Sequence, residues 1–145
     1  MKHQLNLGVR TWLHLNRVRF KVEKHLAKHL DCYDLTPAQF GVLAHLQAYP
    51  DISQQRLANL LFVTKGNIVG LLNRLEQRDL VQRRPDPEDG RTHVVSLTER
   101  GRALAAQVVP EQEKLVVKYM AFATLENQRE LHQLLLTLDR NLGSD

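Results

Sequence analysis

One cysteine, Cys32, in 145 residues excludes an internal disulfide framework and suits a reducing compartment. No uninterrupted apolar run approaches the ~18 residues that cross a membrane. Residues 1–30 also lack the apolar core of a signal peptide, so a cytoplasmic chain with no membrane partner is expected. Neither a Gly-rich phosphate loop nor a nucleophile motif is present, which argues against an enzyme, catalytic residues or a cofactor. Seven histidines occur, yet no pair stands at zinc-motif spacing beside a cysteine. His25 and His29 are four apart and share a helix face, where they would hold a metal weakly. The plainer expectation is two surface histidines on a basic helix, and no metal ligands. Cys32 follows Asp31 and precedes Asp34, negative neighbours that do not favour a thiolate, so an inert cysteine is expected. Internal repeats, low-complexity tracts and flexible linkers are lacking too.

What is present suffices for one domain, with room for two structural parts. The chain is 43% hydrophobic and 25% charged, enough for a core and a soluble surface. A formal charge of +4 is weak evidence for nucleic acid. Its distribution says more: residues 1–30 hold seven Lys/Arg against one Glu, and residues 110–145 hold four against six acids.

The stretch from Ser53 to Leu97 organises the rest. Ser53-Gln-Gln-Arg-Leu-Ala-Asn-Leu-Leu reads as a short amphipathic helix with Ser53 as its N-cap, and Ala58 is small enough for a close helix crossing. Phe62-Val63 is the turn, and Thr64 caps a second helix to about Arg78. Ile68, Leu71, Leu72 and Leu75 fall at i, i+3, i+4 and i+7, one buried helical face. Opposite them lie Gly66, Gly70, Asn73 and Gln77, with Asn67 and Arg74 on one flank and Val69 on the other. Two interior glycines cost about 1 kcal/mol each relative to alanine. A chain tolerates that where something must approach the backbone. Asn, Gln and Arg are side chains that make paired hydrogen bonds to base edges in a major groove. The pattern is a helix-turn-helix, or else an ordinary helical hairpin whose polar face meets water.

Val81 to Leu97 then gives two strand-like runs around a Pro/Asp/Gly turn, with Arg83 and Arg84 closing the first run and Arg91 at the tip. Here a resemblance becomes specific. Asp89-Gly-Arg91 followed by Leu97-Thr98-Glu-Arg-Gly101 is similar to the wing signature of the multiple-antibiotic-resistance regulator (MarR) family. Leu72-Asn-Arg-Leu75-Glu and Leu35-Thr-Pro-Ala-Gln-Phe resemble that family as well, so the likeness spans nearly the whole chain in order. It implies a wing arginine that reaches a minor groove, Arg91, steadied by an aspartate two residues earlier, Asp89. One departure is Asp79, where a glycine is usual after the recognition helix. Aspartate tolerates left-handed conformations better than most residues, so the helix is expected to stop there all the same.

Residues 5–30 contain no proline and only Gly8 as glycine. Leu15, Val18, Val22 and Leu26 recur at helical spacing, behind a patch of Leu5, Val9, Trp12 and Leu13. A helix of that length, about 39 Å, exposes Trp12 unless a partner covers it. Arg10, Arg17, Arg19, Lys21, Lys24 and Lys28 read mostly as a solvated face. Thr36-Pro-Ala-Gln is a capping box with proline at the first helical position, opening a helix through Phe40, Val42, Leu43 and Leu46 that ends near Tyr49-Pro50. Thr98 caps a helix with Leu104, Val108, Leu115 and Met120, which Pro110 is expected to kink or divide. Leu125 to Leu142 is a last amphipathic helix with Leu131, Leu134, Leu135, Leu138 and Leu142 as its stripe.

The expected fold is mainly α with a small β-wing. Residues 35–98 would form a winged helix-turn-helix; residues 1–34 and 99–145 would form a helical dimerisation part. The family resemblance implies a homodimer, hence two recognition helices about 34–36 Å apart and a pseudo-palindromic duplex target. The expected DNA contacts are Ser53, Thr64, Lys65, Gly66, Asn67, Gly70, Asn73, Arg74, Arg83, Arg84, Asp89 and Arg91. Of these, Ser53, Thr64, Arg83 and Arg84 are assigned to phosphates. The resemblance also implies repression and a small aromatic or anionic effector, for which Trp12, His14 and Arg17 are candidates. Trp12 in a dimer core and a solvated Arg17 fit equally well. The rival reading is a winged-helix protein–protein module, against which Asn73 and Arg91 argue.

Overall fold

The computed structural model describes residues 5–143. Up to Gln112 they form one compact unit, and from Glu113 onward a second.

In the first unit, α1 (Leu7–Leu30) starts where the Asn6 side chain accepts from Gly8 N. Only its last turns sink into the protein: Leu30 is fully buried, whereas Trp12, Leu13 and Val18 stay more than half exposed. A 3₁₀ turn (Asp31–Tyr33) follows and ends on Asp34 in the left-handed region, at φ 52°. The capping box then works as the spacing predicts. Thr36 Oγ1 accepts from Gln39 N and Gln39 Oε1 accepts from Thr36 N, opening α2 (Pro37–Ala48).

A two-residue strand, β1 (Ile52–Ser53), leads directly into α3 (Gln54–Leu60), and α4 (Lys65–Gln77) comes next. The wing is β2 (Val81–Pro85) and β3 (His93–Leu97), paired antiparallel from Val81↔Leu97 to Pro85↔His93. β1 adds to the other edge of β3 through Ile52↔Val95 and Ser53↔Val94. The sheet therefore has three strands, where the sequence suggested two. The core gathers Val42, Leu43 and Leu46 of α2, Leu57 and Ala58 of α3, and Ile68, Leu72 and Leu75 of α4 against Val95 and the start of α5. Ala58 is fully buried, as a close α3–α4 crossing requires.

α5 (Glu99–Met120) runs through Pro110 without a break. The expected division does not occur. Proline removes one backbone donor, and the carbonyl it orphans belongs to Ala106 on the same exposed side, where water can serve it. Val108 and Gln112, buried on the inner side, hold the helix across the gap. Gln112 Nε2 donates to Leu26 O, and Tyr33 Oη donates to Glu111, which tie α5 to the end of α1.

The second unit holds the end of α5 and α6 (Leu125–Leu142), whose N-cap is Thr124. No residue of α6 is buried. Among the described residues no helix is long and apolar enough to cross a membrane.

Candidate nucleic-acid interface

The two caps that frame the helix-turn-helix are both made. Ser53 Oγ accepts from Arg56 N at 3.1 Å and Thr64 Oγ1 from Asn67 N at 3.2 Å. Between them Phe62 turns the chain in the left-handed region, at φ 54°, and Val63 N donates to Ala58 O. A cap of this kind is worth about 1 kcal/mol and fixes where the first helical turn points. Thr64 thereby aims the start of α4, with Lys65, Gly66 and Asn67, out of the protein; all three are exposed.

Along α4 the buried residues are Ile68, Leu72 and Leu75, so the opposite face carries Gly66, Gly70, Asn73, Arg74 and Gln77. At Gly66 and at Gly70 a Cβ would meet nothing within 4 Å. Neither glycine is there to let another part of this chain approach. The open space belongs to whatever lies outside.

The wing tip is ordered by its own aspartates. Asp86 N donates to Thr92 O, and the Asp86 carboxylate accepts from Glu88 N. Asp89 Oδ1 accepts from Arg91 N at 3.0 Å, and Thr92 N donates to Asp89 O. Asp89 therefore supports Arg91 through the backbone of the turn and leaves the exposed guanidinium to point outward. Between the wing tip and the two helices lies a cleft of about 310 Å³, bordered by Gln54, Gln55, Lys65, Val69, Arg91 and His93. Gln54, Gln55 and His93 escaped sequence reasoning, because their alignment with Arg91 depends on how α3 packs beside the wing. The Gln54 Oε1 atom is buried there without a partner.

The sequence assigns Arg83 and Arg84 to phosphates, and strand alternation sends them to opposite faces. Arg83 turns toward α4, where its Nε and Nη2 donate to the Glu76 carboxylate and Nη2 also donates to Asn73 Oδ1. Glu76 Oε1 accepts from the Arg83 backbone N–H as well, at 3.0 Å. These hydrogen bonds from Arg83 hold the Glu76 carboxyl below the usual carboxylate range, against the opposing effect of burial. Arg84 turns the other way and pairs with Asp51 at 3.0 Å. It borders a cavity of about 450 Å³ between α2, the sheet and α5, together with Gln47, Gln82, Ser96 and Arg102.

Trp12, His14 and Arg17 lie on the exposed half of α1 and border none of these cavities. His14 Nδ1 is occupied by Arg10 O of its own helix. His29 is likewise engaged, by Glu111 at 3.1 Å and by the Gln112 amide. Among the described residues no three His, Cys, Asp or Glu side chains gather as a metal site would need. Cys32 is exposed and free.

A family model described as the MarR family matches residues 33–92. An uncharacterised HTH-type transcriptional regulator of Bacillus cereus is 36% identical over 106 residues, 73% of this chain and 70% of the relative. The HTH-type transcriptional repressor NicR of Pseudomonas putida is 41% identical over 76 residues, 52% of this chain and 48% of its own. Among solved structures, the transcriptional repressor CouR bound to a 23-mer DNA duplex superposes with a TM-score of 0.75 at 31% identity, covering 94% of this chain and 99% of that one. Wild-type MarR of E. coli in its apo form gives 0.74 at 28% identity, covering 94% and 98%. With the helix-turn-helix, the wing and these likenesses together, the chain belongs to the MarR family of winged-helix transcriptional regulators.

Proposed function

We propose that the chain is a homodimeric, sequence-specific DNA-binding repressor, relieved from a pseudo-palindromic operator by a small anionic or aromatic effector. The observation that carries the reading is the open outer face of α4 at Gly66 and Gly70, set beside a cleft bounded by Lys65 and Arg91. That arrangement suits a duplex whose major groove receives α4 and whose minor groove receives the wing tip, with the phosphate strand between them crossing the cleft. Asn67, Asn73 and Arg74 then face base edges. Ser53 and Thr64 stand near phosphates, which supply most of the affinity and no sequence information. NicR and CouR are named as repressors, and CouR is bound to DNA. Selection of sites from a random duplex pool, followed by titration at several salt concentrations, tests the proposal. A steep fall of affinity with salt together with an enriched inverted repeat is expected. Binding to no duplex at any salt concentration would remove it.

In this reading residues 35–98 carry the DNA contacts, and residues 1–34 with 99–145 carry dimerisation. Support comes from the apolar side chains that each unit leaves uncovered: Leu7, Trp12 and Phe20 on α1, and Leu134, Leu138 and Leu142 on α6. Trp12, His14 and Arg17, all exposed on α1, are the candidates for the effector. Deleting residues 125–145 should yield monomer or aggregate in size-exclusion chromatography with light scattering. A stable, soluble dimer from the truncated chain would place the interface elsewhere.

Arg91→Ala should weaken operator binding at unchanged fold. The side chain is exposed at a turn with no core packing, so stability should move by less than about 0.5 kcal/mol. The loss should be greatest on A/T-rich flanks, where a narrow minor groove concentrates negative potential. Asp89→Ala should give a milder loss, since it frees the Arg91 N–H but keeps the charge. Arg91→Lys should restore binding only in part, because an ammonium is more strongly hydrated and offers no planar fork. Titration against A/T-flanked and G/C-flanked duplexes at one salt concentration decides; equal affinities for wild type and Arg91→Ala would mean the wing stays off the DNA.

A further inference from the structure

Asn73 is exposed on the outer side of α4, but its amide is not free to present both its chemistries. Its carbonyl Oδ1 accepts from Arg83 Nη2. That guanidinium is in turn held by Glu76, which accepts from Nε, from Nη2 and from the Arg83 backbone N–H. The geometry points to Arg83 and Glu76 as positioning residues that turn Asn73 into a donor-only reader of the major groove, selecting guanine over adenine. This rests on the DNA-binding reading proposed above and adds the base class that one side chain recognises.

The chemistry is a matter of which amide atoms are left. Asparagine reads adenine by giving an N–H to N7 while its carbonyl takes a hydrogen from the N6 amino group. With Oδ1 facing Arg83, what remains toward the groove is the Nδ2 amino group, which only donates. Guanine offers two neighbouring acceptors, N7 and O6, and thymine offers one, O4. Adenine can still use its N7, but its amino group would be pressed against a second donor. The other lone pair of Oδ1 gives little relief, since an adenine amino group there would crowd the guanidinium, donor against donor. Rotation of Arg83 is opposed by its charge-assisted bonds to Glu76, which anchor both the side chain and the strand backbone. Arg83 itself is three-quarters or more covered, with 21% of its side chain exposed, so it holds Asn73 rather than reaching outward.

The test is to carry the full-length wild type, Asn73→Ala, Asn73→Asp and Arg83→Met through site selection on a random duplex pool. Asn73→Ala should flatten the preference at one position of each half-site, and wild type should carry guanine there, with thymine second. Arg83→Met frees Oδ1 and should move that position toward adenine by about tenfold, the scale of one paired contact. Asn73→Asp keeps the bond from Arg83 but presents only acceptors, and should move the position toward cytosine. A purely structural role for Arg83 would lower affinity without changing which base is chosen. If Arg83→Met does not fold, the base that wild type carries at the position flattened in Asn73→Ala decides, guanine for the inference and adenine against it. Adenine at that position in wild type, no flattened position in Asn73→Ala, or unchanged profiles in the folded variants would each overturn the inference while leaving specific DNA binding intact. Failure of wild type to enrich any motif would instead strike the DNA-binding reading itself.

Discussion

Gly101→Ala is expected to cost about 3 kcal/mol or more of folding stability, although alanine is the better helix former. A Cβ built at Gly101 stands 1.9 Å from the Leu80 carbonyl oxygen and 2.9 Å from its carbon. Those are backbone atoms, so no side-chain rotation relieves the overlap. Neither can the two segments drift apart cheaply. Thr98 Oγ1 donates to Asp79 O and accepts from Gly101 N, and Thr98 N donates to Leu80 O. The turn that ends α4 is thus laced onto the first turn of α5, and Gly101 lies where they meet. Leu80 and Ala105 are both buried there, so any displacement opens the core as well. Urea unfolding monitored by circular dichroism is the measurement. A midpoint equal to that of wild type would mean that α5 can shift without cost, contrary to this packing.

That contact also marks where sequence reasoning succeeds and where it stops. Helix starts were legible because capping is local: Thr36 with Gln39, Ser53, Thr64 and Thr98 each bond within three residues. The stop at Asp79 was legible too, and the residue adopts φ 55° as its chemistry permits. β1 was not legible. Two residues carry no period, and Ile52–Ser53 is a strand only because β3, some forty residues later, pairs with it. The direction of Arg83 against Arg84 follows from strand alternation once β2 is accepted, but the grip of Glu76 on Arg83 joins a helix to a strand across a turn. No spacing rule announces such a pair. At Pro110 the division did not follow, because propensity describes an isolated helix, whereas buried neighbours on the inner side carry this one through. For the candidate interface, residue types on the α4 face and at the wing tip could be named in advance. Which of them is free and which is already bonded needed the packing.

Gly70→Leu should leave the protein folded and abolish specific operator binding. At Gly70 an added Cβ would meet nothing within 4 Å, so a leucine starts into open space. Its helix propensity exceeds that of glycine by close to 1 kcal/mol, which should hold or slightly raise stability. The same emptiness is what a duplex would use. Gly70 lies at the centre of the outward face of α4, between Gly66, Asn73, Arg74 and Gln77. A branched side chain there props the helix away from the groove floor, and the base contacts on both sides are lost together. The proposed phosphate contacts, such as that of Thr64, would tolerate a small retreat better, so residual sequence-independent binding should survive. Specific affinity should therefore fall at least about a hundredfold toward the non-specific level, within the ~10³–10⁷ that separates the two. Fluorescence anisotropy against the selected operator and a scrambled duplex, at one salt concentration, resolves the two losses. A variant that binds both duplexes as wild type does would show that nothing approaches α4 at Gly70. Gly66 and Gly70 would then be left without a reason to be glycine, since among the described residues nothing meets a Cβ at either place.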